Sequence, residues 1–256
     1  MSTAPDPQRL GGIGWARRTR GSLTGAERRH LIGEVVKAQA SNMAGRVKLA
    51  LGRLPAGAAA LDLQDFAPPD SALARDAEEI CREQSPAVAG HGHRTYVYGS
   101  ALAALDKEPL DRELFYVAAL LHDLGIEQPV AGEDFTLRSA ARAIECAHSG
   151  GLAEHQAELI ADAITIHASP GITAERDGAL GFYVQSGATL DLGGFRQWDL
   201  PKPLVNGAIE LHPRHGVQKG IQELIRAEAK AVPEGRFALL VRCGFIFAIR
   251  LAPLRD

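Results

Sequence analysis

Two adjacent side chains, His122 and Asp123, close the run Phe115-Tyr-Val-Ala-Ala-Leu-Leu-His122-Asp123-Leu-Gly125, and any chemistry would concentrate there. Asp111 offers an N-cap and Gly125 a stop, and the second half of the helix between them is apolar all round. Such a helix is buried on every side. An imidazole and a carboxylate at its end are costly to bury without partners. Either they satisfy each other and nearby backbone, or they face a cation.

Groups of the same kind recur elsewhere. Over 177–192, Leu180, Val184, Gly187, Ala188 and Asp191 share one helical face, which puts Asp191 on an inward stripe. Over 152–168, Leu152, Leu159, Ile160, Ala163, Ile164 and His167 share another, so His167 also points inward. Each alone could be a core residue satisfied by one hydrogen bond. Several inward ionisable groups from separate helices are how helical bundles assemble mixed nitrogen and oxygen metal sites. A third source is the segment 85–99, with His91 and His93. Those two lie about 200° apart on a helix, so both cannot address one ion. Periodicity does not choose between them, although Arg94 and Thr95 fall on the His91 side.

The elements that must position these groups read as helices over about 26–53, 71–83, 91–106, 111–124, 136–149, 152–168, 177–192 and 217–231. The expected class is therefore all-α, with a short hairpin near 235–250. Ala67-Pro68-Pro69-Asp70-Ser71 is a breaker followed by a helix start, and it divides the chain. Residues 1–66 read as an N-terminal basic extension with one helix, its first 25 residues irregular, and 67–256 as the main helical domain. The extension carries Arg9, Arg17, Arg18, Arg20, Arg28, Arg29, Lys37, Arg46 and Lys48, and is expected to be a solvated, frayed arm.

At 46% hydrophobic and 23% charged, the 256 residues can bury a real core, and a net charge of −3 argues against nucleic acid as a partner. Cys81, Cys146 and Cys243 lie too far apart in sequence for a zinc ribbon and form no disulfide framework, which suits a reducing cytoplasm. The longest apolar run, Phe237 to Leu251, is broken by Arg242 and Arg250 and is shorter than the roughly 20 residues a bilayer requires. The expected protein is cytoplasmic, with a small-molecule substrate, no nucleic-acid or membrane partner, and homo-oligomerisation open.

The order His91, then His122-Asp123, then a distant Asp191 resembles the H…HD…D signature of the HD-domain superfamily of metal-dependent phosphohydrolases. The phrases "SPAVAGHGHRTYVYG", "VAALLHDLG", "FTLRSAARA", "DAITIHAS" and "GATLDLGG" are similar to its cyanamide-hydratase-like branch. The likeness runs over roughly residues 68–200. It implies an HD-domain helical bundle and selects His91 over His93, because the branch's H-x-x-R-x-Y phrase falls on His91, Arg94 and Tyr96. It also implies a metal held by His91, His122, Asp123 and Asp191, with His167 beside it. Two positions depart from the branch. Thr136 stands where an acidic residue is usual after the Phe matched by Phe135, and Gly92 where Ser is usual; both are expected to border the substrate pocket.

These expectations amount to a hydrolase that activates water with one divalent transition metal (zinc, or iron or manganese) and adds it to a phosphomonoester or nucleotide, or to a nitrile-like compound. Asp123 and His167 would handle protons, while Arg94, Thr95 and His167 would contact substrate, unless Arg94 pairs with a buried acid. A dinuclear centre would add His148 and His167. The alternative is a non-catalytic ligand-binding or regulatory module, and a third reading has the polar groups pairing with one another. Arg196, Lys202 and Lys219 read as surface charge, and 212–216 as an exposed loop.

Overall fold

The computed structural model describes residues 8–254, and within them the only regular secondary structure is helical, with no strand. The helices are α1 (Ile13–Thr19), α2 (Gly25–Ala50), α3 (Ala72–Cys81), α4 (Pro86–Asp106), α5 (Arg112–Leu121), α6 (Phe135–Ser149) and α7 (Glu154–Ile166). They continue with α8 (Ala174–Asp177), α9 (Ala179–Gly193), α10 (Lys202–Leu211), α11 (Val217–Ala231), α12 (Arg236–Arg242) and α13 (Phe245–Arg250). Among the described residues, no helix is long and apolar enough to cross a membrane.

The centre of the bundle is α5, whose residues from Leu114 to Leu121 are all buried. It starts where the Asp111 carboxylate accepts the amides of Glu113 and Leu114. Against it lies the pair α4 and α9, brought close by two glycines. A Cβ on Gly187 would stand 2.2 Å from the Thr95 carbonyl oxygen, and one on Gly99 would stand 2.6 Å from that of Tyr183. The facing positions 95 with 187 and 99 with 183 define an antiparallel register, and its next step pairs His91 with Asp191. Glycine packing thus sets the distance between two site residues.

Three expectations are corrected. The hairpin near 235–250 is instead α12 and α13, separated at Gly244 with φ 86°. Burial there falls on Ala238 with Leu239 and on Ala248 with Ile249, adjacent pairs that suit a helix rather than strand alternation. Residues 13–19, read as irregular, form α1, with Trp15 and Ala16 buried. Nor is the basic arm frayed, although Arg17, Arg18, Arg20, Arg29, Lys37 and Lys48 remain exposed. Arg9 binds Asp162, Arg17 binds Glu158, Arg20 binds Glu133 and Arg28 binds Glu234, while Ile13 N–H donates to Asp162. At the other end, buried Arg236 ties α12 to Asp134, Thr136 and the Thr165 carbonyl.

A helix absent from the sequence reading is α10, because Pro201 and Pro203 look like breakers. A proline in the first turn forfeits an amide that has no intrahelical partner anyway, so the helix starts there.

Candidate metal centre

His91 stands in the second turn of α4, which begins with Pro86 after Ser85. His122 is the C-cap of α5 and His167 the C-cap of α7. Both cap histidines use one local device: Nδ1–H turns back to the carbonyl three residues earlier, Ala119 O at 2.8 Å for His122 and Ile164 O for His167. This satisfies a helix-terminal carbonyl and leaves the lone pair of the neutral ring on Nε2. In His91 the partner of Nδ1 is Asp191 Oδ2, at 2.7 Å. All three rings therefore present Nε2 as an acceptor.

These acceptors converge on another one. Asp123 Oδ2 lies 3.7 Å from His91 Nε2 and 3.5 Å from His122 Nε2, and Asp123 Oδ1 lies 3.5 Å from His167 Nε2. His91 Nε2, His122 Nε2 and Asp123 Oδ1 are buried with no protein donor. Lone pairs facing one another without a proton or cation between them are costly, since each has lost water and gained nothing. One donor atom from each of His91, His122 and Asp123 lies within 4.8 Å of the others, a group that could hold a metal ion. The residues fit that ion on their own chemistry.

The electrostatics agree. Burial pushes the His122 imidazolium down to about 3, against the pull of Asp123, so the ring is neutral near pH 7. For Asp123, burial raises the carboxyl, but any positive charge placed among His122, His167 and His91 favours its ionised form and holds it below the ordinary carboxylate range.

Asp191, expected as fourth ligand, is placed on the far side of His91. Its carboxylate accepts His91 Nδ1, Arg94 Nε at 2.7 Å, Arg94 Nη2 at 3.0 Å and Arg214 Nη1. Both oxygens are thereby engaged, and the guanidiniums, with His91, hold this carboxyl far below its usual value despite burial. A carboxylate behind a metal-facing imidazole fixes the ring and raises its basicity.

Other expectations shift as well. Arg94 and Thr95 are fully buried and line no part of the cavity above the histidines. Arg94 is the structural ion pair, its Nη1 also donating to the His212 carbonyl at 2.7 Å. His148 sits on an exposed helix end bound to Glu154, which removes it from any dinuclear set. Gly92 and Thr136 also lie off the cavity. A Cβ at Gly92 would press within 3.1–3.2 Å of the α5 backbone, and Thr136 donates to Asp134. Arg196 is spent on Asp106 and Asp199, and neither Lys202 nor Lys219 lines the cavity.

Sequence reasoning missed Arg214. The 212–216 segment is not simply an exposed loop, because Arg214 is 2% exposed and its Nη1 also reaches the Asp191 backbone carbonyl at 2.7 Å. It missed the cavity walls too. A cavity of about 150 Å³ rises from His91, His122, Asp123 and His167 between α2, α9 and the α12–α13 corner, walled chiefly by apolar side chains. No protein-family model matches this chain, and no curated protein matches it.

Proposed function

We propose that this chain is a metal-dependent hydrolase or hydratase that adds water to a small molecule at the His91–His122–Asp123 centre. The observation that carries the reading is the convergence of three buried, unpaired acceptor atoms on the floor of a ligand-sized cavity. The likeness of the motifs to HD-domain proteins points the same way. Two imidazoles and a carboxylate are the donor number and type of catalytic zinc sites, and they also suit iron and manganese. A divalent ion bound there would supply Lewis acidity and make hydroxide accessible near neutral pH.

The chain's own residues have separate tasks. His167, its Nδ1–H committed to Ile164, can accept a proton at Nε2, and Asp123 Oδ1 at 3.5 Å stabilises the resulting imidazolium. Asp191, Arg94 and Arg214 act through His91 by holding its ring. The cavity walls leave Asp123 and His167 only slightly exposed to solvent. The net reaction would add water across a C≡N bond to give an amide, or cleave an ester or amide into its acid and its alcohol or amine.

The test is elemental analysis of the purified protein by inductively coupled plasma mass spectrometry, beside a His122→Ala, Asp123→Ala double variant. About one transition metal per chain, lost in the variant, is the expected result. No metal after growth in supplemented medium would overturn the proposal.

A further inference from the structure

We propose that the substrate of this centre is an uncharged molecule with an apolar body, aromatic or branched aliphatic, and that α2 helps to select it. This deepens the reading above and rests on it.

The argument is the chemistry of the walls. Above the histidines and Asp123, the cavity is faced by Phe195, Phe237, Phe245, Leu192, Leu240 and Val35. Among the described residues, no lysine or arginine lines it. The two guanidiniums behind the centre, Arg94 and Arg214, are buried and already engaged by Asp191. The donors of the polar lining residues are largely used internally as well. Gln185 Nε2 donates to the His167 and Ser169 carbonyls, both at 2.6 Å, and Thr189 Oγ1 donates to Gln185 O at 2.7 Å.

A phosphate group entering this space would shed water against aromatic faces and, beyond the ion of the centre itself, meet no fixed side-chain cation among the described residues. Sites built for phosphoryl groups supply such cations. An uncharged nitrile, amide or ester head asks only for the polar floor, and its body gains from every apolar atom it buries. That gain is about 0.8 kcal/mol per methylene, or about fourfold in affinity.

Helix α2 contributes Val35, Ala38 and Gln39, positions i, i+3 and i+4, which share a face over the cavity. It carries no residue of the metal centre. Ala38 is the smallest of the three, so its Cβ leaves space that a larger side chain would fill. The N-terminal region is thus a wall of the binding site rather than an appendage.

Three probes share one ring and differ in the head: benzamide, benzonitrile and phenyl phosphate. Their binding to the full-length protein as purified is measured by isothermal titration calorimetry, together with an alkyl amide series. The expected result is benzamide and benzonitrile binding, affinity rising about fourfold per methylene along the series, and phenyl phosphate binding no better than inorganic phosphate. Ala38→Phe should weaken benzamide at least about tenfold with metal content unchanged, and Ala38→Leu, a milder change, should give a smaller loss in the same direction. Phenyl phosphate binding more tightly than benzamide, or benzamide affinity within about twofold of wild type in both Ala38 variants, would overturn the inference. Binding is read without reference to metal or turnover. A protein without metal that still binds benzamide would sink the hydrolase reading alone, and a metal-loaded protein that prefers phosphate would sink only this one.

Discussion

Glu228 offers a sharp test of how burial sets charge in this fold. It lies on α11, 2% exposed, with Oε1 accepting the Phe135 amide at 3.0 Å and Oε2 without a hydrogen-bond partner, 3.7 Å from Arg138. Burial pushes its carboxyl up to about 7, and neighbouring Asp134 adds to the rise. The folded state therefore holds a proton that the unfolded chain has released above about 4.5. This contribution to stability is full below that value and is lost as pH rises toward 7. Between pH 5 and 8 the loss amounts to about 2.5 kcal/mol. Glu228→Gln keeps the acceptor for Phe135 and cannot ionise. Urea unfolding of both proteins at pH 5, 6, 7 and 8 should show the variant gaining about 2.5 kcal/mol on wild type across the range. Acidic groups with depressed values tilt both proteins equally and cancel in the difference. A difference constant to within about 0.5 kcal/mol would refute the assignment.

Asp191→Asn leaves Arg94 and Arg214 buried without a countercharge and should cost about 3–5 kcal/mol in urea unfolding. Chelator competition should show metal binding weakened by about 10–100-fold, whereas complete loss of metal from folded protein would make Asp191 a ligand after all. His167→Gln should retain the metal while kcat falls by about 10²–10⁴-fold; unchanged turnover on a substrate found by screening would remove His167 from proton handling. Gly187→Ala drives a methyl against the Thr95 carbonyl and should destabilise the fold by about 1–3 kcal/mol or more. A melting temperature equal to wild type would show that α4 and α9 do not need their close approach.

Much of the site was legible because it lies on regular helices. Helical spacing put His167 and Asp191 inward, and the apolar run before His122 and Asp123 announced a buried pair. What spacing cannot give is distance across the bundle. Whether Asp191 meets a metal or the back of His91 depends on how closely α4 and α9 approach, which two glycines decide. Arg214 belongs to no periodic pattern, since a loop carries it inward. The aromatic wall joins Phe195, Phe237 and Phe245 with Val35, residues that only the tertiary fold brings together. The C-terminal helices were misread because their β-branched and aromatic content suits a strand, while packing against α11 selects helix.

The orientation of His91 has a consequence for how the protein is made. Its Asp191 partner lies 100 residues downstream, and Arg214 follows 23 residues later still. At bacterial or eukaryotic translation rates of about 5–20 residues per second, His91 leaves the peptidyl-transferase centre about 6–25 s before the arginine that completes its support. Throughout that interval the nascent polypeptide has no preorganised place for an ion. An ion taken up at this centre would therefore enter after Arg214 has been made, from whatever exchangeable pool the chain then meets.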